Sequence, residues 1–354
     1  MTQKVRIKDI AEKAGVSVGT VDRILHHRPN VSKSAREKVE KVLKEIHYRP
    51  NMYASALAYN RSYTFHLIIP WHEQEAYWEE IEEGAMKACD MRRDFHVNVV
   101  ISYYKRFDVQ SFKNTCKEVL DSEPNGVILV PSELEITQPF TDILHEKKIP
   151  FILLDSFLPE LDPLTFYGQD SFASGYFAAK MLMLIANKEQ EIMLMRQTNH
   201  GKLSSRQQEN REVGFRHYMK EHYPEVAISE MDLPLDHDKD DYNTIMDDYF
   251  RSHPKTHHCI TMGSRAYLVG QYVSENHLGG IQIMGYDMVA KNAQCLQEGT
   301  ISFLIAQHAY MQGFSCVDAL FKSIVLKLDI EPINYMPIEL LSKENVQFYR
   351  RKQL

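Results

Sequence analysis

From residue 64 onward, short apolar runs alternate with longer amphipathic stretches. TFHLIIP, VNVVISYY, GVILVP, IPFILLD, EIMLMR, HHCITMG and IQIMGYD are each apolar enough to be buried on both faces, as parallel strands are. The pattern predicts an α/β body of two doubly wound parallel-sheet lobes, divided near FLPELDPLTFYGQDS, with the chain recrossing near its C-terminus. Two lobes hinged over a cleft follow, and ligands of such sheets lie at the carboxyl ends of the strands.

The first sixty residues follow a different period. Ile7, Ile10, Ala11 and Ala14 recur at helical spacing, with Asp9 and Glu12 early and Gly15 at the end. Ser17 is placed to cap a second helix with Val21, Ile24 and Leu25 inward, which Pro29 terminates. A third helix from Ser34 turns Val39, Val42, Leu43 and Ile46 to one side. This predicts a small all-α helix-turn-helix domain over residues 1–50, a linker over 51–62 and the two-lobed core over 63–354. Taken alone, a Gly-punctuated helix pair also fits three helices that merely pack.

Charge separates the same two regions. The chain of 354 residues carries a net −7, yet residues 1–60 hold 12 Lys and Arg against 6 Asp and Glu, leaving 29 against 42 in the rest. A basic head on an acidic body fits a head that alone meets phosphate. No apolar run approaches the roughly 18 residues of a membrane span, and the N-terminus has no apolar secretion core, so a cytoplasmic location and no membrane partner are expected. Five scattered cysteines without a CxxC pair read as small buried apolar residues, and no metal or cofactor is expected. HDKDDYNTIMDD lacks the glycine and terminal glutamate of a calcium loop and reads as a solvated acidic face.

KDIAEKAGVSVGTVDRIL, followed by VSKSAREKVEKVLKEIHYRPNMYASALA, resembles the head of the LacI/GalR family of bacterial transcription regulators over about sixty consecutive positions. At about 100° per residue, Val18, Gly19, Asp22, Arg23 and His26 share the arc opposite Val21 and Ile24 and are the candidate groove readers. Arg23 suits a guanine edge, Val18 a thymine methyl, and Gly19 gives only close approach. Ser17 and Thr20 suit phosphate. Asp22 departs from the family pattern, which usually has Ser. Two readings stay open: acceptance from a cytosine amino group, or orientation of Arg23 or His26 with weaker non-specific phosphate binding. Asn51 can cap a short helix containing Ala54 and Leu57; the resemblance implies a hinge helix that orders on operator DNA, pairs with its dimer mate and wedges Leu57 into the minor groove.

The same resemblance implies a periplasmic-binding-protein-like core, and the candidate effector residues lie at its expected strand ends. Tyr77 and Trp78 begin a helix after the first strand; the resemblance implies stacking on a sugar face, with interlobe packing the alternative. Asp155 ends a strand, Asp170 precedes a helix as ligand group or cap, Arg211 leads a helix, and Asp287 ends a strand in MGYD. Gln307 joins them by resemblance alone. Ser264 and Arg265 stand where the family often has Asn-Asp; a cleft-side Arg265 favours an acidic or phosphorylated sugar, the alternative being that it points to solvent. No GxSxG, Walker loop or post-strand GxGxxG appears. The expected function is therefore a homodimeric regulator, a repressor, that reads pseudo-palindromic double-stranded operator DNA under control of a small sugar or sugar acid. Paired cleft carboxylates leave a glycosidase-like enzyme as the alternative.

Overall fold

The structure, a computed structural model, describes residues 7–25, 29–46, 61–73, 77–186 and 188–349. The chain divides into two compact units, residues 1–60 and 61–354.

In the first unit, α1 (Ile7–Ala14), α2 (Val18–Leu25) and α3 (Lys33–Glu45) enclose a small core in which Ile10, Val21 and Val39 are completely buried. Full burial of each is worth roughly 1.5–3 kcal/mol. Gly15 adopts φ 65°, a left-handed turn open to glycine without a Cβ penalty. Ser17 Oγ then accepts from Thr20 N at 3.1 Å, capping α2 as its position implies. The cap of α3 is Ser32, whose Oγ accepts from Ala35 N at 3.2 Å, so this helix starts just before the expected Ser34.

The second unit opens with β1 (Tyr63–Pro70), α4 (Tyr77–Asp90), β2 (Val97–Tyr104), α5 (Val109–Asp121), β3 (Gly126–Leu129), α6 (Leu134–Glu146), β4 (Phe151–Leu154) and β5 (Thr165–Gly168). A second run follows: α7 (Ser171–Ile185), β6 (Glu191–Asn199), β7 (Lys202–Leu203), α8 (Arg206–His222), β8 (Ala227–Pro234), α9 (Lys239–Ser252), β9 (His258–Thr261), α10 (Tyr267–Glu275), β10 (Gln282–Tyr286), α11 (Ala290–Glu298) and β11 (Phe303–Ala306). Then come α12 (Ala309–Leu320), β12 (Ile333–Tyr335) and β13 (Glu339–Leu341). One sheet has the order β2-β1-β3-β4-β5-β12, all parallel. The other runs β8-β6-β9-β10-β11-β13, parallel except for β13, with β7 folded back on β6. Two doubly wound lobes result, with corresponding strands in corresponding places.

All seven apolar runs are strands. The chain crosses between lobes after β5 and, near its C-terminus, after β11 and after β12. The strands absent from the apolar pattern are short, such as β11 and β12, or polar on one side, such as β8 at a sheet edge. The acidic segment 237–248 begins α9, where Asp238 Oδ1 accepts from Asp240 N and Asp241 N at 2.9 and 3.0 Å.

Each lobe places its cleft-side helices by one glycine crossing. In the first, α4 meets α12: a Cβ on Gly84 would stand 1.9 Å from the Tyr310 carbonyl oxygen, and one on Gly313 1.9 Å from that of Ile81. In the second, α7 meets α8 through Gly175 and Gly214, whose Cβ positions would lie 1.9 and 2.1 Å from the carbonyl oxygens of Arg211 and Phe172. At the crossovers, buried Gln169 donates from Nε2 to Pro337 O at 2.8 Å and to Ala306 O at 3.2 Å, while Ser174 Oγ donates to its Oε1 at 2.8 Å. One side chain thus touches all three passes of the chain.

Gly84→Ala and Gly175→Ala are each expected to destabilise the body by about 1–3 kcal/mol, because backbone must move to admit the methyl. Gly279→Ala, where a Cβ meets nothing within 4 Å, serves as the control. Urea denaturation followed by circular dichroism checks this; equal midpoints for all three variants would contradict the crossing argument.

Candidate functional site

On the head, the outer face of α2 is solvent-facing. Val18 is 48 % exposed, Ser17, Gly19 and Arg23 are exposed, and Thr20 and Asp22 are half-buried, while Val21 and Ile24 fill the core. Ser17 and Thr20 are linked hydroxyl to hydroxyl at 2.9 Å. His26, Asn51, Ala54 and Leu57 lie outside the described residues.

In the body, the expected residues meet at the carboxyl ends of the strands. Asp155 follows β4 and Asp287 follows β10, matching positions in the two sheets. Both adopt left-handed backbone, φ 67° and 72°, and both anchor their N–H on the next strand, to Tyr167 O at 2.8 Å and Ile305 O at 2.9 Å. Such a conformation is uncommon outside glycine, with Asp among the residues that tolerate it best, and it bends the chain so that the carboxylate turns into the cleft. Asn292, fully buried, fixes the second bend from below, its Nδ2 lying 2.8 Å from Tyr286 O, 3.0 Å from Asp287 O and 2.9 Å from Ser264 O.

Between the two carboxylates lies Arg211, 3 % exposed. Its Nη1 donates to Met262 O at 2.9 Å, its Nη2 to Gln307 Oε1, and its guanidinium lies 4.1 Å from the centre of the Tyr286 ring. Gln307 Nε2 in turn donates to Asp287 Oδ1 at 2.6 Å. On the other side, Tyr77 Oη donates to Asp155 Oδ1 at 2.9 Å and accepts from Gln312 Nε2 at 2.9 Å. Gln207 Nε2 reaches across from the second lobe to Asp155 Oδ2.

Burial dominates the ionisation. It pushes the Asp287 carboxyl up to about 6, against the pull of Arg211 and the Gln307 hydrogen bond. It raises Asp155 too, with Arg211, Tyr77 and Arg106 drawing it back. The Tyr77 hydroxyl is held far above its usual range by burial and then by the two carboxylates, so it stays a donor. Polar capacity remains unused: Arg211 Nε, Gln197 Nε2 and Gln312 Oε1 are buried without a partner among the described residues. Buried polar atoms in that condition cost roughly 1–3 kcal/mol each, and these are two donors and one acceptor.

Tyr77, Trp78, Asp155, Arg211, Ser264, Asp287 and Gln307 all line one cavity of about 70 Å³. Of its two readings, Asp170 takes that of the cap, its Oδ1 accepting from Ala173 N at the start of α7 at 2.9 Å; it is not a wall of this cavity but lines a neighbouring one with Asp155 and Gln207. One expectation needs correcting. Arg211 does not lead its helix: Ser205 caps α8, which starts at Arg206, so Arg211 lies in the second turn. Tyr77 works through its hydroxyl, its ring meeting Trp78 edge-on at 5.0 Å and 76°. Arg265 lines a wider cavity at the mouth, beside Tyr242. Sequence reasoning missed Gln207, Gln312, Gln197 and Arg106. Gln207 had a signal, since it precedes Arg211 by four residues and so shares its helix face; the others had none. Among the described residues no cluster of His, Cys, Asp and Glu is placed to hold a metal, and no helix is long and apolar enough to cross a membrane.

Residues 65–325 match the family model of the periplasmic binding protein domain, and residues 6–51 that of the bacterial regulatory proteins of the lacI family. Among curated relatives, the HTH-type transcriptional regulator RegA of Clostridium acetobutylicum is 31% identical over 152 residues, 42% of this chain and 43% of that protein. The chain thus spans about half the length or less of the first such relatives. A solved LacI transcriptional regulator structure from Bacteroides fragilis is 40% identical, covers 82% of this chain and all of that one, and superposes with a TM-score of 0.79. A solute-binding protein of a Burkholderia graminis transporter, solved with D-arabinose, shares the fold at 15% identity and a TM-score of 0.71, over 82% of this chain and 98% of its own. With a lacI-type head joined to a core of this kind, the chain belongs to the LacI family of bacterial regulatory proteins.

Proposed function

We propose that this chain is a cytoplasmic, homodimeric transcriptional repressor that binds pseudo-palindromic double-stranded operator DNA and is controlled by a small sugar-like effector held between its lobes. The observation that carries the reading is one polar constellation, Asp155, Arg211, Asp287 and Gln307, drawn from both lobes and buried at the strand ends. Two carboxylates, a guanidinium and amides present acceptors and donors in fixed directions, which is what vicinal hydroxyls require, and Trp78 adds an aromatic wall. A group that bridges both lobes stabilises their closure by the difference in its affinity for the two arrangements.

Residues 51–62 are the hinge in this proposal, with Asn51, Ala54 and Leu57 ordering on DNA. Each head offers Val18, Gly19, Asp22 and Arg23, with His26 beside them, to the major groove, and Ser17 and Thr20 to phosphate. Two heads related by a dyad read half-sites one helical turn or a little more apart. Effector binding and DNA binding are then coupled reciprocally, by typically 1–3 kcal/mol.

Selection of binding sequences from a random duplex pool by the full chain, followed by mobility shifts with and without a sugar panel, tests this. An enriched pseudo-palindrome whose binding responds to a sugar is expected. No enrichment, or enrichment that survives removal of residues 1–60, would refute it. Asp22→Ser is expected to change operator preference or the slope of affinity against salt; identical binding across operators and salts would exclude both roles for this carboxylate.

Arg211→Ala leaves two acidic groups buried without their cation. A loss of about 3 kcal/mol of body stability is expected, together with loss of any effector-induced thermal shift. A retained shift would remove Arg211 from the site. Asp287→Asn tests the ionisation. A carboxyl raised from 3.8 to about 6 binds its proton more tightly in the folded chain, so the ionised form lowers stability above pH 6 and the effect vanishes below about 4. At neutral pH the variant is therefore expected to be more stable than the parent by about 2–3 kcal/mol. The gap should close between pH 6 and 4 in thermal melts, and a pH-independent gap would contradict the assignment.

A further inference from the structure

The cavity at the cleft mouth differs in charge and size from the one beneath it. It measures about 410 Å³, and the two share Tyr77, Trp78, Arg106, Gln197 and Ser264 as walls, so they form one continuous crevice. The deep part falls below the roughly 300–1,000 Å³ of small-molecule sites, and the two together fall within it. A ligand that fills the crevice therefore extends beyond the aspartates into the mouth.

The mouth is cationic on an acidic body. Among the described residues, Arg106, Arg265 and Lys291 line it against one carboxylate, Glu73, with His72 turned to Glu82 at 3.3 Å. Arg106 comes from the first lobe, after β2, and Arg265 and Lys291 from the second, after β9 and at the start of α11. Lys291 Nζ lies 5.0 Å from the centre of the Tyr267 ring, so that its charge is held over an aromatic face. Beneath them, Asp155 and Asp287 make the deep cavity hostile to a second anion and suited to hydroxyls. A neighbouring cavity of about 290 Å³ also shares Arg106 and Asp155 with the deep one, but there Lys105, Arg106 and Arg206 face Asp108, Glu133, Asp155 and Glu209, so an anionic group is best placed at the mouth.

Two large apolar side chains complete the arrangement. Trp71 is 61 % exposed and Phe107 51 %, on facing loops of the first lobe. Trp71 is fixed by its N–H to Tyr104 O at 2.7 Å, and Phe107 is held at φ 66°, a strained backbone for a bulky residue. Exposed aromatics on rigid backbone beside cations suit a carbohydrate ring bearing a negative group.

Resting on the sugar reading of the deep cavity, we propose that the effector is an anionic carbohydrate longer than one ring. Its hydroxyl end lies among Asp155, Arg211 and Asp287, a further ring lies against Trp71 and Phe107, and a carboxylate or phosphoryl group is held by Arg106, Arg265 and Lys291. Because these cations come from both lobes, the anion itself contributes to closure.

The test uses the full chain on an array of neutral, uronate-bearing and phosphorylated mono- and disaccharides, with titration calorimetry on matched neutral and anionic pairs. Preference for an anionic disaccharide is expected, uronate and phosphate arms distinguishing the two sources of charge. Raised ionic strength should weaken the anionic member more than its neutral mate. Arg265→Gln combined with Lys291→Gln is expected to lower the ratio of anionic to neutral affinity roughly tenfold. Equal or better binding of neutral sugars, or an unchanged ratio in the double variant, would overturn the proposal and leave the deep sugar site standing. Absence of binding to any carbohydrate would overturn both.

Discussion

A guanidinium 3 % exposed to solvent is tolerable only with negative charge and hydrogen-bond acceptors around it, and much of the cleft is organised by that constraint. Arg211 obtains two carboxylates, a backbone carbonyl, a glutamine amide and an aromatic face. Each partner needs support of its own. Asp287 is held by a left-handed bend and by Asn292, Asp155 by a matching bend and by Tyr77, and Tyr77 by Gln312. The network is anchored on helices whose spacing is set by paired glycines, so packing far from the polar atoms decides their distances.

The two lobes contribute in matching ways. Asp155 and Asp287 occupy the same place in their sheets, and Gly84 with Gly313 plays in one lobe the part of Gly175 with Gly214 in the other. The side chains carried on these equivalent frames have diverged: the helix after β1 brings tyrosine and tryptophan, and the helix after β6 brings glutamine and arginine. Shape is thus repeated, with one carboxylate from each lobe, while the helices bring aromatic rings to one wall and the guanidinium and an amide to the other.

Much of this was legible in the residues. Seven apolar runs became strands because strands buried on both faces leave little choice of composition. The head was legible because a short helix, a left-handed Gly15 and a capping Ser17 leave local marks. Aspartates at strand ends stood out because a charge there has few structural uses. Asp170, which precedes a helix, was legible as ligand group or cap, and which of the two it serves depends on where its oxygen points. Gln312 and Arg106 left no trace, since they reach the cleft only through the crossing of α12 with α4 and the course of the loop after β2. The polar edge strand β8 escaped for the opposite reason, having one face in water.

Gln169 ties the three passages between lobes to a single side chain. Three independent ribbons would let the halves twist, slide and gape in combination. A side chain bonded to all of them holds the three together at one point, so the halves are least free to part where Gln169 sits and freest at the opposite rim of the cleft.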